Sequence, residues 1–156
     1  DYKLDYKKLK FTDKETRKLY RIGRGEQGVL LVRPYTDQIC KYWRFKTPTI
    51  AKRSAEKIYI MYADYRAKND FVGMDMCRKF LEMGFTRARR YANHRDGNKY
   101  DKNGNVKPQE PDAMTCHFAE SATIFREYRN RVAKDSKYKS MRKMWREYEN
   151  HNIQAL

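Results

Sequence analysis

The sequence predicts an α+β domain that is mainly α: about four or five helices with a small β-hairpin component. Three observations predict it. Apolar residues recur at helical spacing through Ile50–Tyr65, Phe71–Tyr91 and Phe118–Val132. Glycines cluster between two short apolar runs, Tyr20-Arg21-Ile22 and Val29-Leu30-Leu31-Val32. A second turn signal, Asn103-Gly104, lies between Lys99-Tyr100-Asp101 and Asn105-Val106-Lys107. The 156 residues are 40% hydrophobic and 14% aromatic, enough to close one core without disulfides or metals. No long polar linker divides the chain, so 1–156 is expected to be a single domain.

In chain order, 1–10 reads as an arm packing through Leu4, Leu9 and Phe11. A short helix follows over Asp13–Leu19, capped by Thr12 or Asp13. The glycine segment then predicts strand, turn and strand, ended by Pro34. Thr36 or Asp37 starts a short helix through Trp43. Thr47-Pro48 pairs a capping hydroxyl with proline at the first helical position, which opens an amphipathic helix to about Lys68. Asp70 caps a helix over Phe71–Asn93. On a wheel of about 100° per residue its apolar arc exceeds half the circumference, so it is expected at the centre of the fold. Asn103-Gly104 forms the second hairpin. Asp112 starts a helix carrying Met114, Phe118, Ala122, Phe125 and Val132 on one face. The last helix carries Met141, Met144, Trp145 and Tyr148, and 150–156 is expected to fray.

The formal net charge is +16, with 36 Lys and Arg against 20 Asp and Glu. Two segments concentrate it. Arg78–Arg95 holds six bases and the single acid Glu82; Arg129–Arg146 holds eight bases and the single acid Asp135. Such patches attract phosphate polymers, so nucleic acid or another polyanion is the expected partner. The alternative is a lysine-rich solvated surface. Cys40, Cys77 and Cys116 are odd in number, widely spaced and each in an apolar or helical context, which reads as buried thiols in a reducing compartment and not a disulfide framework. No apolar run reaches about 18 residues and the start lacks a signal-peptide core, so no membrane role and a cytoplasmic location are expected.

Motifs exclude more than they assign. Gly23-x-Gly25-x-x-Gly28 matches the dinucleotide fingerprint, but a strand is predicted to follow where that motif requires a helix. It is closer to a kinase glycine loop, yet no kinase lysine, His-Arg-Asp or Asp-Phe-Gly follows. Positive-φ glycines in a tight turn account for it, though backbone amides in such a turn can also bind anions. No Cys-x-x-Cys or His-Glu-x-x-His suggests a metal, and no nucleophile elbow or Walker loop is present. Cys116 and His117 are adjacent on a helix, so their side chains diverge. Cys77, among apolar neighbours, reads as core. No catalytic residue, cofactor or metal is expected.

Arg87 falls inside the apolar arc of the central helix, between Met83 and Phe80. A buried guanidinium must pair with a carboxylate, bind an anion or reach a cleft. Glu26 or Asp101 would serve as a structural partner. The functional version is an anion pocket of Arg87, Tyr91 and His94, with Arg24 from the glycine loop. A second candidate is a phosphate-contacting stripe of Arg78, Arg89, Arg90, Arg95 and Lys99, on the charged face and running into the hairpin.

Four segments in order carry a resemblance: Tyr20-Arg21-Ile22-Gly23-Arg24-Gly25-Glu26-Gln27-Gly28-Val29-Leu30, Trp43-Arg44-Phe45-Lys46-Thr47-Pro48, Asp70-Phe71-Val72-Gly73-Met74-Asp75-Met76, and Met83 to Asp101. Together the chain resembles an uncharacterised family of small cytoplasmic proteins from bacteria and tailed phages, including cyanophages, named only as a domain of unknown function. The resemblance implies one intact domain and a phage or bacterial origin, but no activity and no site residues. The expectation is an accessory, non-enzymatic polyanion-binding protein. Its rivals are an enzyme or ligand-binding protein built around Arg87, and an interaction module for a phage or host protein.

Overall fold

The computed structural model describes residues 6–155. Leu4 of the expected arm and Leu156 of the expected frayed tail lie outside the described residues. Six α-helices follow one another: α1 (Lys14–Arg17), α2 (Tyr35–Cys40), α3 (Pro48–Ala67), α4 (Phe71–Asn93), α5 (His117–Lys134) and α6 (Ser136–Ala155). A 3₁₀ turn at Tyr6–Lys8 precedes them.

The helix starts follow local chemistry. Asp13 Oδ1 accepts from Thr16 N, Thr47 Oγ1 from Ile50 N, and Asp70 Oδ1 from Gly73 N. Proline at the first position of α3 gives up no helical hydrogen bond. At Asp112 the chain makes a turn, with Cys116 N bonded to Asp112 O, and α5 begins only at His117. Helix α6 continues to Ala155, into the stretch expected to fray.

Helix α4 is the hub, packed against α2, α3, α5 and α6. Its first seven residues, Phe71 to Cys77, are all buried. Beyond Met83 the buried positions thin to Gly84, Ala88 and Ala92, one stripe at a spacing of four residues. Two glycines set its close approaches. A Cβ on Gly84 would stand 2.4 Å from Phe125 Cδ1 of α5, and one on Gly73 would stand 2.3 Å from the Tyr65 ring of α3. One hydrophobic cluster joins Phe11, Val32 and Ile39 to Phe80, Phe125 and Tyr138, so arm, loop and all the long helices share a core.

The α+β expectation is wrong: the described residues form helices, turns and loops, with no strand or sheet. In 20–34 the reason is glycine geometry. Gly23, Gly25 and Gly28 have φ of +64°, +52° and +80°, turning the chain too often for extended pairing. Val29 N bonds Glu26 O and Leu31 N bonds Gly28 O, so the apolar run is itself coiled in turns. Val29 and Val32 are buried while Leu30 and Leu31 are exposed, a spacing of three, not the burial on both faces expected of a core strand. Thr36 Oγ1 closes the segment, accepting from Val32 N and donating to Val29 O.

The second hairpin survives only as an isolated antiparallel bridge between Tyr100 and Val106. Asp101 N bonds Asn105 O and Lys107 N bonds Lys99 O, both at 2.8 Å. The turn chemistry was right. Tyr100 and Val106 are both more than half exposed, and with no third strand or apolar face to cover them the pairing does not extend.

Candidate polyanion-binding surface

One polar site lies inside the fold, away from solvent. Asp75, wholly buried on α4, accepts hydrogen bonds from the Tyr20 hydroxyl, from Tyr138 Oη at 2.6 Å and from Arg78 Nε and Nη2 at 2.9 and 3.2 Å. Burial pushes the Asp75 carboxyl up, but Arg78, Lys79 and the hydrogen bonds outweigh it and hold the group at about 2. Lys79, also wholly buried, donates to Arg21 O and Gln27 O and lies 4.5 Å from the Tyr20 ring centre. Burial pulls it down to about 8, with Asp75 opposing and Arg78 reinforcing. Arg78 Nη1 reaches Gly25 O, and Arg146 Nη2 reaches Gly23 O. Glu149, nearly buried on α6, accepts from Ile22 N and Arg146 Nη1.

The glycine loop therefore turns its carbonyl oxygens inward, onto four bonds from three basic side chains. A phosphate cradle needs the opposite polarity, with amides converging on one point. Here the amides of Ile22, Arg24 and Val29 are taken by Glu149, Gln27 and Glu26. The loop is a strap that fixes α4 to α6.

Arg87 is exposed, which corrects its placement on the wheel. The wheel treats the whole of α4 as equally surrounded, whereas neighbours encircle only its first half and leave Arg87 outside the Gly84–Ala88–Ala92 stripe. Arg87 lines a shallow recess of about 360 Å³ with Gly25, Glu26, Glu82, Thr86 and Arg90. Glu26 and Glu82 share that lining with Arg87 and Arg90, Glu82 being ion-paired with Arg129. Neither Glu26 nor Asp101 forms an ion pair with Arg87; Glu26 instead accepts from Thr86 Oγ1 at 2.6 Å. The other pocket candidates lie apart from it. Tyr91 packs against the Phe45 and Phe118 rings, His94 is buried, and Arg24 is exposed and outside the recess.

The five stripe residues are not equivalent. Arg78 belongs to the Asp75 site. Arg89 donates to Asn93 Oδ1 and Ala113 O, holding the loop before α5. Arg95 pairs with Asp112 at 2.5 Å. Arg90 and Lys99 are exposed and carry no ion pair among the described residues.

The second basic segment is the less consumed one. Arg129 is paired with Glu82 and Arg146 with Glu149. Arg131, Lys134, Lys137, Lys139, Arg142 and Lys143 carry no ion pair among the described residues. They lie on the last turns of α5 and the first turns of α6.

Beside this corner is a groove of about 560 Å³ between α1, the α3–α4 junction and α6. Its rim carries Lys14, Arg17, Lys18, Lys68 and Lys137; its floor is Phe71, Met141, Met144, Trp145 and Tyr148. Arg17 donates to Thr12 O and Lys137 to Arg66 O. A carbonyl satisfies a donor without neutralising its charge. Lys18 is paired with Glu15; Lys14 and Lys68 carry no ion pair among the described residues. The carboxylate in the lining, Asp70, is occupied by the Tyr35 hydroxyl at 2.5 Å and by Gly73 N. The Phe71, Trp145 and Tyr148 rings form a continuous stack and edge contact.

The chain matches the model of one protein family over residues 1–148. It belongs to the domain of unknown function family DUF4385. No curated protein and no solved structure matches the chain. Membership thus fixes ancestry over nearly the whole length and leaves function to the geometry. No described helix is long and apolar enough to cross a membrane, and no described cluster of His, Cys, Asp and Glu could hold a metal. Cys40, Cys77 and Cys116 are free thiols; burial pushes the Cys77 thiol well up, which suits core packing and not nucleophilic attack.

Sequence reasoning missed the groove. Its rim residues come from three segments far apart in the chain, so no local pattern displays them. The available signal was in α6, where Met141, Met144, Trp145 and Tyr148 recur on one face at a helix that the charge pattern marks as a surface element.

Proposed function

We propose that this DUF4385 protein is a non-enzymatic accessory protein of the cytoplasm, of phage or bacterial origin, that binds nucleic acid or another polyanion. One observation carries the reading: six cations from Arg131 to Lys143 carry no ion pair among the described residues at the α5–α6 corner, and one of them, Lys137, also lines a groove with Lys14, Arg17, Lys18 and Lys68. Holding like charges together is unfavourable in the free protein, and a phosphate polymer relieves it while releasing its own counterions. The Arg87 recess supports the enzyme rival poorly, because it gathers none of Arg24, Tyr91 and His94 beside Arg87.

The test is a salt series. Binding of labelled nucleic acid is followed by fluorescence anisotropy, and log affinity is plotted against log salt. Five phosphate contacts on duplex give a slope of about −4.5. Reversal of Lys134, Lys139 and Lys143 to Glu is expected to reduce both affinity and slope. No binding at low salt removes nucleic acid from the reading, and wild-type slope in the reversed variant removes the α5–α6 corner.

A further inference from the structure

The geometry points to single-stranded nucleic acid as the occupant of the groove between α1, the α3–α4 junction and α6, with phosphates on the basic rim and an unstacked base on the Tyr148–Met144 floor. The inference rests on the polyanion reading above and goes further by naming the strand state and the site. Charge alone does not choose between a duplex, a single strand and inorganic polyphosphate. The floor does.

Met144 is 45% exposed and Tyr148 38% exposed, although both lie on the same helical face as Met141 and Trp145, which pack on the core. Two large apolar side chains are thus held open to water in a groove lined by five cations and one carboxylate, Asp70. A duplex presents its bases stacked and its backbone outward, and polyphosphate presents only charged oxygens. Either would press charged phosphate oxygens onto the apolar floor of Met144 and Tyr148, where they lose hydration with no hydrogen-bond donor to replace it. A single strand has both parts at the needed separation in kind: an anionic backbone for the rim and a π face for the floor.

The support beneath the floor is rigid. Trp145 donates its indole N–H to Tyr20 O at 3.1 Å and stacks on Phe71 with centroids 5.2 Å apart. Tyr148 meets the Trp145 ring edge-on at 5.6 Å. Tyr148 therefore stands on an aromatic base already fixed to the core, so little side-chain entropy is lost when a base lies on it. Lys14 on α1 and Lys68 at the end of α3 both line the groove, so a strand lying in it meets cations from two separate elements. A volume of about 560 Å³ falls within the range of sites that enclose a small organic group.

The experiment uses the full chain and four probes: a single-stranded DNA of mixed sequence, the same sequence as duplex, long-chain inorganic polyphosphate, and vesicles rich in phosphatidylserine. Each is titrated against wild type, Tyr148→Ala, Met144→Ala and Lys68→Ala, with circular dichroism confirming the fold. Base stacking of this kind is worth about 1–3 kcal/mol, so single-stranded DNA is expected to bind roughly tenfold or more tighter than duplex. Tyr148→Ala and Met144→Ala are expected to erase that preference and leave duplex and polyphosphate affinities unchanged. Lys68→Ala is expected to weaken the single strand and lower its salt slope by about 0.7. In Trp43→Phe, where Trp145 is the remaining tryptophan, single-stranded DNA is expected to quench the fluorescence and duplex to leave it unaltered.

Equal affinity for single strand, duplex and polyphosphate overturns this inference and leaves the polyanion reading standing. So does a strand preference that survives both floor variants. Vesicles bound in preference to single-stranded DNA also overturn it, in favour of a lipid surface. Failure of every probe to bind at low salt overturns the polyanion reading itself.

Discussion

Asp75→Asn removes one charge from the centre of the molecule and almost no volume, so its cost isolates the buried electrostatics. The wild-type carboxylate is wholly buried and takes two bonds from Arg78, whose side chain is 11% exposed, and one from each of Tyr20 and Tyr138. The variant leaves the Arg78 guanidinium without its ion-pair partner, and leaves Lys79 with only the charge of Glu149 to oppose its burial. Breaking a buried pair by removing one partner costs about 3–5 kcal/mol. At about 2–4 °C per kcal/mol for a chain of this size, the melting temperature falls by roughly 6–20 °C. Urea unfolding at neutral pH measures the loss directly, with an unchanged denaturant slope showing that compactness is retained.

The pH dependence supplies an independent reading. The folded group sits at about 2 against an ordinary 3.8, so its contribution is present above about pH 4 and is lost as the pH falls toward 2. The shift corresponds to roughly 2 kcal/mol. The gap between wild type and Asp75→Asn should therefore narrow by about that much across this window. A loss under about 1 kcal/mol at neutral pH, or a gap independent of pH, would refute the view of Asp75 as the charge that holds the glycine loop, α4 and α6 together.

Three further outcomes follow from the packing. Gly84→Ala places a methyl 2.4 Å from the fully buried Phe125 ring, so despite better helix propensity it should destabilise by about 1–3 kcal/mol in urea, whereas exposed Arg90→Ala should stay within about 0.5. Lys79 is pulled to about 8 from an ordinary 10.5, so at this group the unfolded chain binds more protons between those values and the Lys79 contribution to stability rises with pH there, while the raised Cys77 thiol acts the other way; the stability difference between wild type and Lys79→Met in urea titrations should therefore shift in favour of wild type as the pH rises through this window. A single hydrophobic cluster linking the arm to α6 leads us to expect one cooperative unit over 1–156, with near- and far-ultraviolet circular dichroism melting together; two separated transitions would reject it.

The sequence by itself determined the elements whose causes are local. Thr47-Pro48 and Asp70 start α3 and α4 where their side chains and the proline ring dictate, because a cap is satisfied within three residues of itself. The centrality of α4 was equally legible, since an apolar arc that wide can be covered only by several neighbours. The Asn103-Gly104 turn formed because its conformation is set by the two residues themselves. What tertiary structure alone decided was who stands beside each segment. Val29–Val32 carried strand composition, but composition cannot supply a partner strand, and the glycine loop's carbonyls were claimed by Lys79, Arg78 and Arg146 from α4 and α6. Arg87 lay on the apolar side of an ideal wheel, yet burial is a property of neighbours and not of angle, and past Met83 the neighbours of α4 cover the Gly84–Ala88–Ala92 stripe and leave Arg87 outside it. The groove, too, exists only in three dimensions. Lys14, Lys68 and Lys137 are separated by more than fifty residues at each step, and the fold brings their charges around one aromatic floor.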